Sequence, residues 1–131
     1  MRKQFIIPFL SFCLLVIACS KPGPGGANNL NVYVMRDSLG NLCTNCNVFI
    51  KYGASEFSGE DTSNYDDSGV TDHQGKYTFT SLNKGLYSFY AWGKDPIYKD
   101  TIHGHITFSV ESNKNERDII VFCDTVLVNN N

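Results

Sequence analysis

The chain has no stretch of the roughly 20 consecutive apolar residues that a membrane-spanning helix needs. Its one long apolar run starts at Phe5 and gives out at Ala18. Basic residues are in deficit, with 11 Lys and Arg against 13 Asp and Glu and a net charge of −2. No Lys/Arg cluster forms, so nucleic acid is not an expected partner. No ten-residue window combines a helical apolar stripe with good caps, which argues against a helical fold. No Ser/His/Asp set assembles with any spacing logic, and the abundant carboxylates have no fixed scaffold of the kind that glycosidase chemistry requires. Cys43-Thr44-Asn45-Cys46 has the spacing of half a zinc site, and no second CxxC supplies the other two ligands. These absences leave no catalytic residue to name, and the chain is read as non-enzymatic with no cofactor.

What is present starts at the N-terminus. Arg2 and Lys3 precede the run Phe5 to Ala18, which has the length of a signal h-region and ends in Val16-Ile17-Ala18-Cys19. A small residue followed directly by cysteine resembles the lipobox of bacterial lipoproteins. The resemblance implies cleavage before Cys19 and lipidation of that cysteine, since several acyl chains hold a membrane firmly where one does so only marginally. Residues 1–18 are then the signal peptide. Residues 19–29, from Cys19 through Pro22-Gly23-Pro24-Gly25-Gly26 to Asn29, read as a lipidated flexible tether because Gly and Pro disfavour regular elements. Ten such residues reach up to about 33 Å. Cleavage removes Arg2 and Lys3 and leaves the acidic excess larger.

Residues 30–131 are long enough for one hydrophobic core and too short for two. Their patterning is β throughout. Leu30–Val34, Val48–Tyr52 and Ile106–Val110 alternate with period two, and Leu86–Trp92 is an aromatic strand with Tyr87 and Phe89 on one face and Tyr90 and Trp92 on the other. Ile119–Cys123 is apolar at every position, as expected of a central strand covered on both faces. Asp72-His73-Gln74-Gly75 is turn chemistry, and Glu56 to Ser68 reads as a long acidic loop that offers oxygen atoms to calcium without the order of an EF-hand. Short strands punctuated by Gly/Asn/Asp turns predict an all-β, immunoglobulin-like sandwich of about seven strands.

The run Gly69 to Ala91 resembles the signature of carboxypeptidase regulatory-like domains, also called transthyretin-like or Cna-B-like. The match falls on Thr71, Asp72, Gly75, Tyr77, Phe79, Leu82, Gly85 and Tyr87. The upstream segment Asp37 to Leu42 resembles the start of that family's domain but lacks its proline. This resemblance implies a transthyretin/prealbumin-like sandwich in which Asp72 and Gly75 shape a tight turn and Tyr77, Phe79 and Leu82 face the core. Members are mostly non-catalytic modules of the cell surface. A copy behind a lipobox resembles small lipoproteins of Bacteroidetes-type bacteria, which implies an accessory or binding role at the outer membrane, on its periplasmic or outer side, beside another envelope protein. The related hydroxyisourate hydrolases imply an alternative enzymatic reading. They end in Tyr-Arg-Gly-Ser, whereas this chain ends Val126-Leu127-Val128-Asn129-Asn130-Asn131. Metal or glycan binding by a surface lipoprotein is a further alternative.

Three groups of residues remain as candidate sites. Cys43, Cys46 and Cys123 persist after maturation. In an oxidising compartment they suit a disulfide, with either Cys43 or Cys46 bridging to Cys123 or the two pairing with each other. The strand pattern after Cys46 argues against a helix-borne redox motif. His103 and His105 are two apart and so share one strand face, where they are the residues to test for metal. Tyr90, Trp92 and Tyr98 surround the turn Gly93-Lys94-Asp95-Pro96 and are the aromatic candidates for contacting a sugar or a protein.

Overall fold

The structure is a computed structural model that describes residues 21–37, 39–111 and 116–126. Cys19 and the expected signal segment lie outside these residues. Among these residues the strands are β1 (Pro24–Arg36), β2 (Asn47–Tyr52), β3 (Asp67–Val70), β4 (Lys76–Leu82), β5 (Gly85–Lys94), β6 (Thr101–Val110) and β7 (Glu116–Thr125), with a 3-10 turn at Thr62–Asn64. Their hydrogen-bonded order is β3-β2-β5-β6-β7-β1-β4. Only β1 and β7 run parallel among these neighbours. β6 and β7 pair only at Ile102–Thr125 and His103–Asp124. The ladder opens there, and the β7-β1-β4 half folds over the β3-β2-β5-β6 half to make a sandwich.

The period-two patterns decide what fills it. Val48, Ile50, Tyr87, Phe89, Ala91 and Ile102 point inward from one sheet, and Leu30, Val32, Val34, Phe79, Ile119 and Val121 meet them from the other. Phe79 and Phe89 touch across the gap with ring centroids 6.0 Å apart. The all-β sandwich expected from the sequence is the fold observed. The Asp72–Gly75 turn also forms as read: Gly75 N donates to Asp72 O at 2.9 Å, and Asp72 Oδ1 accepts from the amides of Gln74 and Lys76.

Three expectations are corrected. The first is the tether. β1 begins at Pro24, so residues 24–29 belong to the sheet. Proline is harmless at a strand start, where its missing N–H costs no ladder bond. Register shifts between Pro24 and Asn28 and between Asn28 and Leu30 bulge the strand. The glycines fit that bulge, because a Cβ at Gly26 would lie 2.2 Å from Leu82 O. Asn28 is buried and its Nδ2 donates to Leu82 O at 3.0 Å. The second concerns β7, which buries only Ile119, Val121 and Cys123. Ile120 and Phe122 are 38% and 52% exposed, because a two-layer sandwich has nothing to lay over the outer face. The third is β3, whose first two residues fall in the loop expected over Glu56 to Ser68. It is a polar edge strand, Asp67-Ser68-Gly69-Val70, held only by β2.

The segment leading into β1 is pinned to the β4–β5 turn. Tyr87 Oη accepts from Gly23 N at 2.9 Å and donates to Asn83 O at 2.6 Å. Asn83 returns the contact, with its N–H on Gly23 O and its Nδ2 on the carbonyls of Lys21 and Pro24. From there β1 runs the length of the domain to Arg36. The two ends of the sandwich are therefore chemically distinct, with the N-terminal segment at one and the β1–β2 and β5–β6 loops at the other.

Candidate functional site

Alternation sends Phe49 of β2, Tyr90 and Trp92 of β5 and His103 and His105 of β6 to the outer face of the β3-β2-β5-β6 sheet. The register aligns them in rows, with Phe49, Tyr90 and His105 as one and Asn47, Trp92 and His103 as the next. The loop after β2 folds over the first row. Phe57 stacks on His105 with centroids 4.0 Å apart, and Tyr65 lies 5.7 Å from Phe49 and 6.0 Å from Tyr90. Burial under this cover pushes the Tyr65 hydroxyl up to about 12. A cleft of about 330 Å³ remains between the loop and β6, lined by Phe57, Glu60, Tyr90, His103, His105 and Phe122. His103 Nδ1 stands 3.1 Å from Glu60 Oε1 at its mouth.

The second row is left open and borders a larger groove of about 460 Å³. Trp92, 40% exposed, lines it together with Asn47 opposite on β2. Thr44 and Asn45 form one wall, and Lys94, Asp95, Pro96 and Lys99 form the other. The second wall is built around Asp95, which is fully buried. Its Oδ1 accepts the amides of Ile97 and Tyr98 at 2.8 and 3.1 Å, and its Oδ2 accepts Arg36 Nη1 at 2.9 Å. Burial by itself would raise the Asp95 pKa. The Arg36 guanidinium and the two amides outweigh it and hold the carboxyl below the ordinary range. Arg36 Nη2 also reaches Asp100 Oδ2 at 3.2 Å, which closes the turn.

The first wall rests on Thr71. Its Oγ1 accepts Cys46 N at 2.9 Å and donates to Cys43 O at 2.7 Å, while its own N–H and C=O bond Cys46 O and Asn45 N. Asn45 is left-handed, with φ 54°. Cys43, Cys46 and Cys123 are all completely buried behind this wall and are unbridged. Close packing against β5 explains Gly93, where a Cβ would sit 2.5 Å from Cys46 Sγ.

The candidates therefore separate. Trp92 is available to a ligand. Tyr90 is only 6% exposed, because the loop residues Phe57 and Tyr65 cover it, so it is not the open contact surface proposed from the sequence. Tyr98 is exposed but leans over Arg36, with its ring centroid 5.5 Å from Cζ, and is not part of the groove lining. His103 and His105 do share a face, yet one meets Glu60 and the other Phe57. Among the described residues no three His, Cys, Asp or Glu side chains converge on a point that suits a metal. The acidic loop likewise spends carboxylates on backbone amides, Asp61 on Ser63 N within the loop and Asp66 on Tyr52 N of β2. Sequence reasoning missed Asn45, Asn47, Lys94 and Lys99. The signal that could have found them was position, since Asn45 lies inside the CxxC and Lys94 directly follows the aromatic strand.

No protein-family model matches the chain, and no curated protein matches its sequence. Solved structures do match it. BcpA, the major pilin subunit of Bacillus cereus, aligns with a TM-score of 0.53 at 9% identity over 77% of this chain and 31% of its own. A Pseudomonas aeruginosa protein described as a candidate carbohydrate binder gives 0.49 at 14% identity, over 77% of this chain and 91% of its own. The 5-hydroxyisourate hydrolase of Klebsiella pneumoniae gives 0.47 at 17% identity, over 76% and 87%. At 9% identity the likeness to BcpA is one of fold, the β-sandwich, and this chain spans about a third of that protein.

Proposed function

We propose that the chain is a non-catalytic binding module held at the bacterial outer membrane by lipid on Cys19, and that the groove beside Trp92 takes a saccharide. The observation that carries the reading is the groove's composition. An indole offers an apolar face with a polar edge. Around it stand Thr44, Asn45 and Asn47, which both donate and accept hydrogen bonds, and the donors Lys94 and Lys99. A few convergent polar groups around an aromatic surface fit a ring with one C–H face and a rim of hydroxyls. The lipobox resemblance supports the anchor, and the resemblance to carboxypeptidase regulatory-like modules supports an accessory role beside another envelope protein.

Trp92 is the single tryptophan of the chain, so its fluorescence reports on the groove directly. Full-length protein, extracted with its anchor, is titrated with a panel of neutral, amino and acidic oligosaccharides. Saturable change in emission, lost in Asn47→Ala and matched by loss of retention of Trp92→Ala on the same immobilised sugar, is the expected result. Equal retention of wild type and Trp92→Ala, or no saccharide bound by either, overturns the groove reading. In parallel, Cys19→Ser is expected to lose palmitate labelling and membrane association, and a labelled, membrane-bound Cys19→Ser protein overturns the anchor.

A further inference from the structure

We infer that Cys43 and Cys46 form a disulfide with each other as the chain enters an oxidising compartment, that Cys123 stays a free thiol, and that the bridge fixes the Thr44–Asn45 wall of the groove. The inference does not depend on what the groove binds.

The turn that carries the two cysteines is clamped at both ends. Cys43 N donates to Val34 O at 2.8 Å, and Thr71 holds Cys43 O, Asn45 N and both backbone groups of Cys46. Between these fixed ends the left-handed Asn45 reverses the chain. Both thiols are thereby carried by one short turn, with Cys43 Sγ on Asn41 O at 3.7 Å and Cys46 Sγ on Thr44 O at 3.6 Å, and each perturbs the other's ionisation. Cys123 is placed differently. It lies on β7 in the other sheet and points its sulfur at Ala91 O at 3.9 Å, away from the turn that carries the other two. A shared metal is the other use for three nearby thiols, and no such convergence exists among the described residues.

All three sulfurs are without solvent exposure in the folded domain, so oxidation precedes closure of the sandwich. The oxidant is a protein disulfide of the extracytoplasmic compartment. The Cys43 thiolate attacks one of its sulfurs and expels the other as thiolate. Cys46, losing its proton, then attacks the Cys43 sulfur of the mixed disulfide and expels the second. One S–S bond forms and one breaks, the oxidant gains two electrons, and the two cysteine protons go to its two thiolates. The residues enclosed, Thr44 and Asn45, are the ones that form the first wall of the groove. Cys46 also packs on Gly93, next to Trp92, so the bridge and the indole are neighbours.

Trypsin separates the alternatives. It cuts after Arg36, Lys51 and Arg117, which puts Cys43 and Cys46 in one peptide, 37–51, and Cys123 in another, 118–131. Full-length protein from envelopes is alkylated without reduction, digested and weighed. The expected result is peptide 37–51 unalkylated and lighter by two hydrogens than its reduced form, with alkylated Cys123, in wild type and in Cys123→Ser alike for the first peptide. Crosslinking of 37–51 to 118–131, or three alkylated thiols, overturns the pairing. In samples whose mass confirms reduction, Trp92 emission is expected to shift, and the shift is expected to be absent in Cys46→Ser. Unchanged emission on confirmed reduction overturns the link to the groove wall.

Discussion

The segment before Leu30 is part of the domain, and Tyr87→Phe tests that attachment. The Tyr87 ring is fully buried and packs edge-on to Tyr52, with centroids 6.1 Å apart. Phenylalanine keeps that packing and deletes only the hydroxyl. Two hydrogen bonds go with it, from Gly23 N at 2.9 Å and to Asn83 O at 2.6 Å. Each is worth about 1 kcal/mol net, and the Gly23 amide, buried in the fold, is left to bear part of its desolvation cost. The expected loss is therefore about 2–3 kcal/mol. For a domain near 100 residues that corresponds to a fall in melting temperature of roughly 10 °C or more. Urea unfolding of the two proteins measures it, with the midpoint moving and the slope unchanged. Hydrogen exchange at Gly23 supplies the local readout, and its protection should drop more than that of Phe89 in the core. Tyr52→Phe is the control, because the Tyr52 hydroxyl has no hydrogen-bond partner among the described residues, and it should cost less than about 0.5 kcal/mol. A Tyr87→Phe loss as small as the control's, with Gly23 exchange unaltered, refutes the reasoning and returns the segment to a free tether.

Gly26→Ala should destabilise the domain by about 2 kcal/mol or more, since its Cβ meets the Leu82 carbonyl and neither side is a flexible chain end. Thermal melts check this, and a neutral result would mean that the bulge is absent. Asp95 should give stability an acid limb. Its carboxyl is held low by Arg36 and the turn amides against the effect of burial, so its contribution is complete above the ordinary carboxylate pKa of about 4 and is lost as pH falls through the lower folded value. Urea midpoints between neutrality and strong acid should fall more steeply in wild type than in Asp95→Asn, and parallel profiles would refute the assignment.

Much of the fold was legible because period-two alternation is strict where one face is buried. Tyr87 and Phe89 went in and Trp92 stayed out as their spacing requires. Legibility failed where tertiary context overrides the local signal. Pro24 and the glycines after it have poor strand propensity, and only their pairing with β4 on one side of β1 makes them a strand. Ile120 and Phe122 look like core residues because sequence hydrophobicity cannot say whether a third layer exists. The site was half legible. Trp92 was visible as an aromatic beside a turn, but Tyr90 is hidden by Phe57 and Tyr65, which are far enough along the chain that no spacing rule links them to it. Asn45 and Asn47 were unremarkable polar residues until the register set Asn47 opposite Trp92.

The corrected start of β1 changes what an anchor would do. A flexible chain through Asn29 would let the domain tumble up to about 33 Å from the lipid. With Gly23 hydrogen-bonded to Tyr87 and β1 beginning at Pro24, only Ser20 to Pro22 remain between the lipidated residue and the pinned chain, a reach of about 10 Å. On the anchored reading, the β4–β5 turn is then held close to the membrane surface. β1 leaves that end and reaches Arg36 after 13 residues, up to about 40 Å away. Arg36 is the residue that grips Asp95 and so builds the second wall of the groove. On the same anchored reading, a short leash at one end of the sandwich would present the Trp92 groove away from the lipid, with its orientation limited as well as its distance. Lengthening the leash, by inserting flexible residues between Lys21 and Pro22, should leave the groove's affinity in solution unchanged. It should alter binding only where the ligand is itself fixed in the envelope, and an insertion that changes both alike would show that the start of the chain contributes to the site itself.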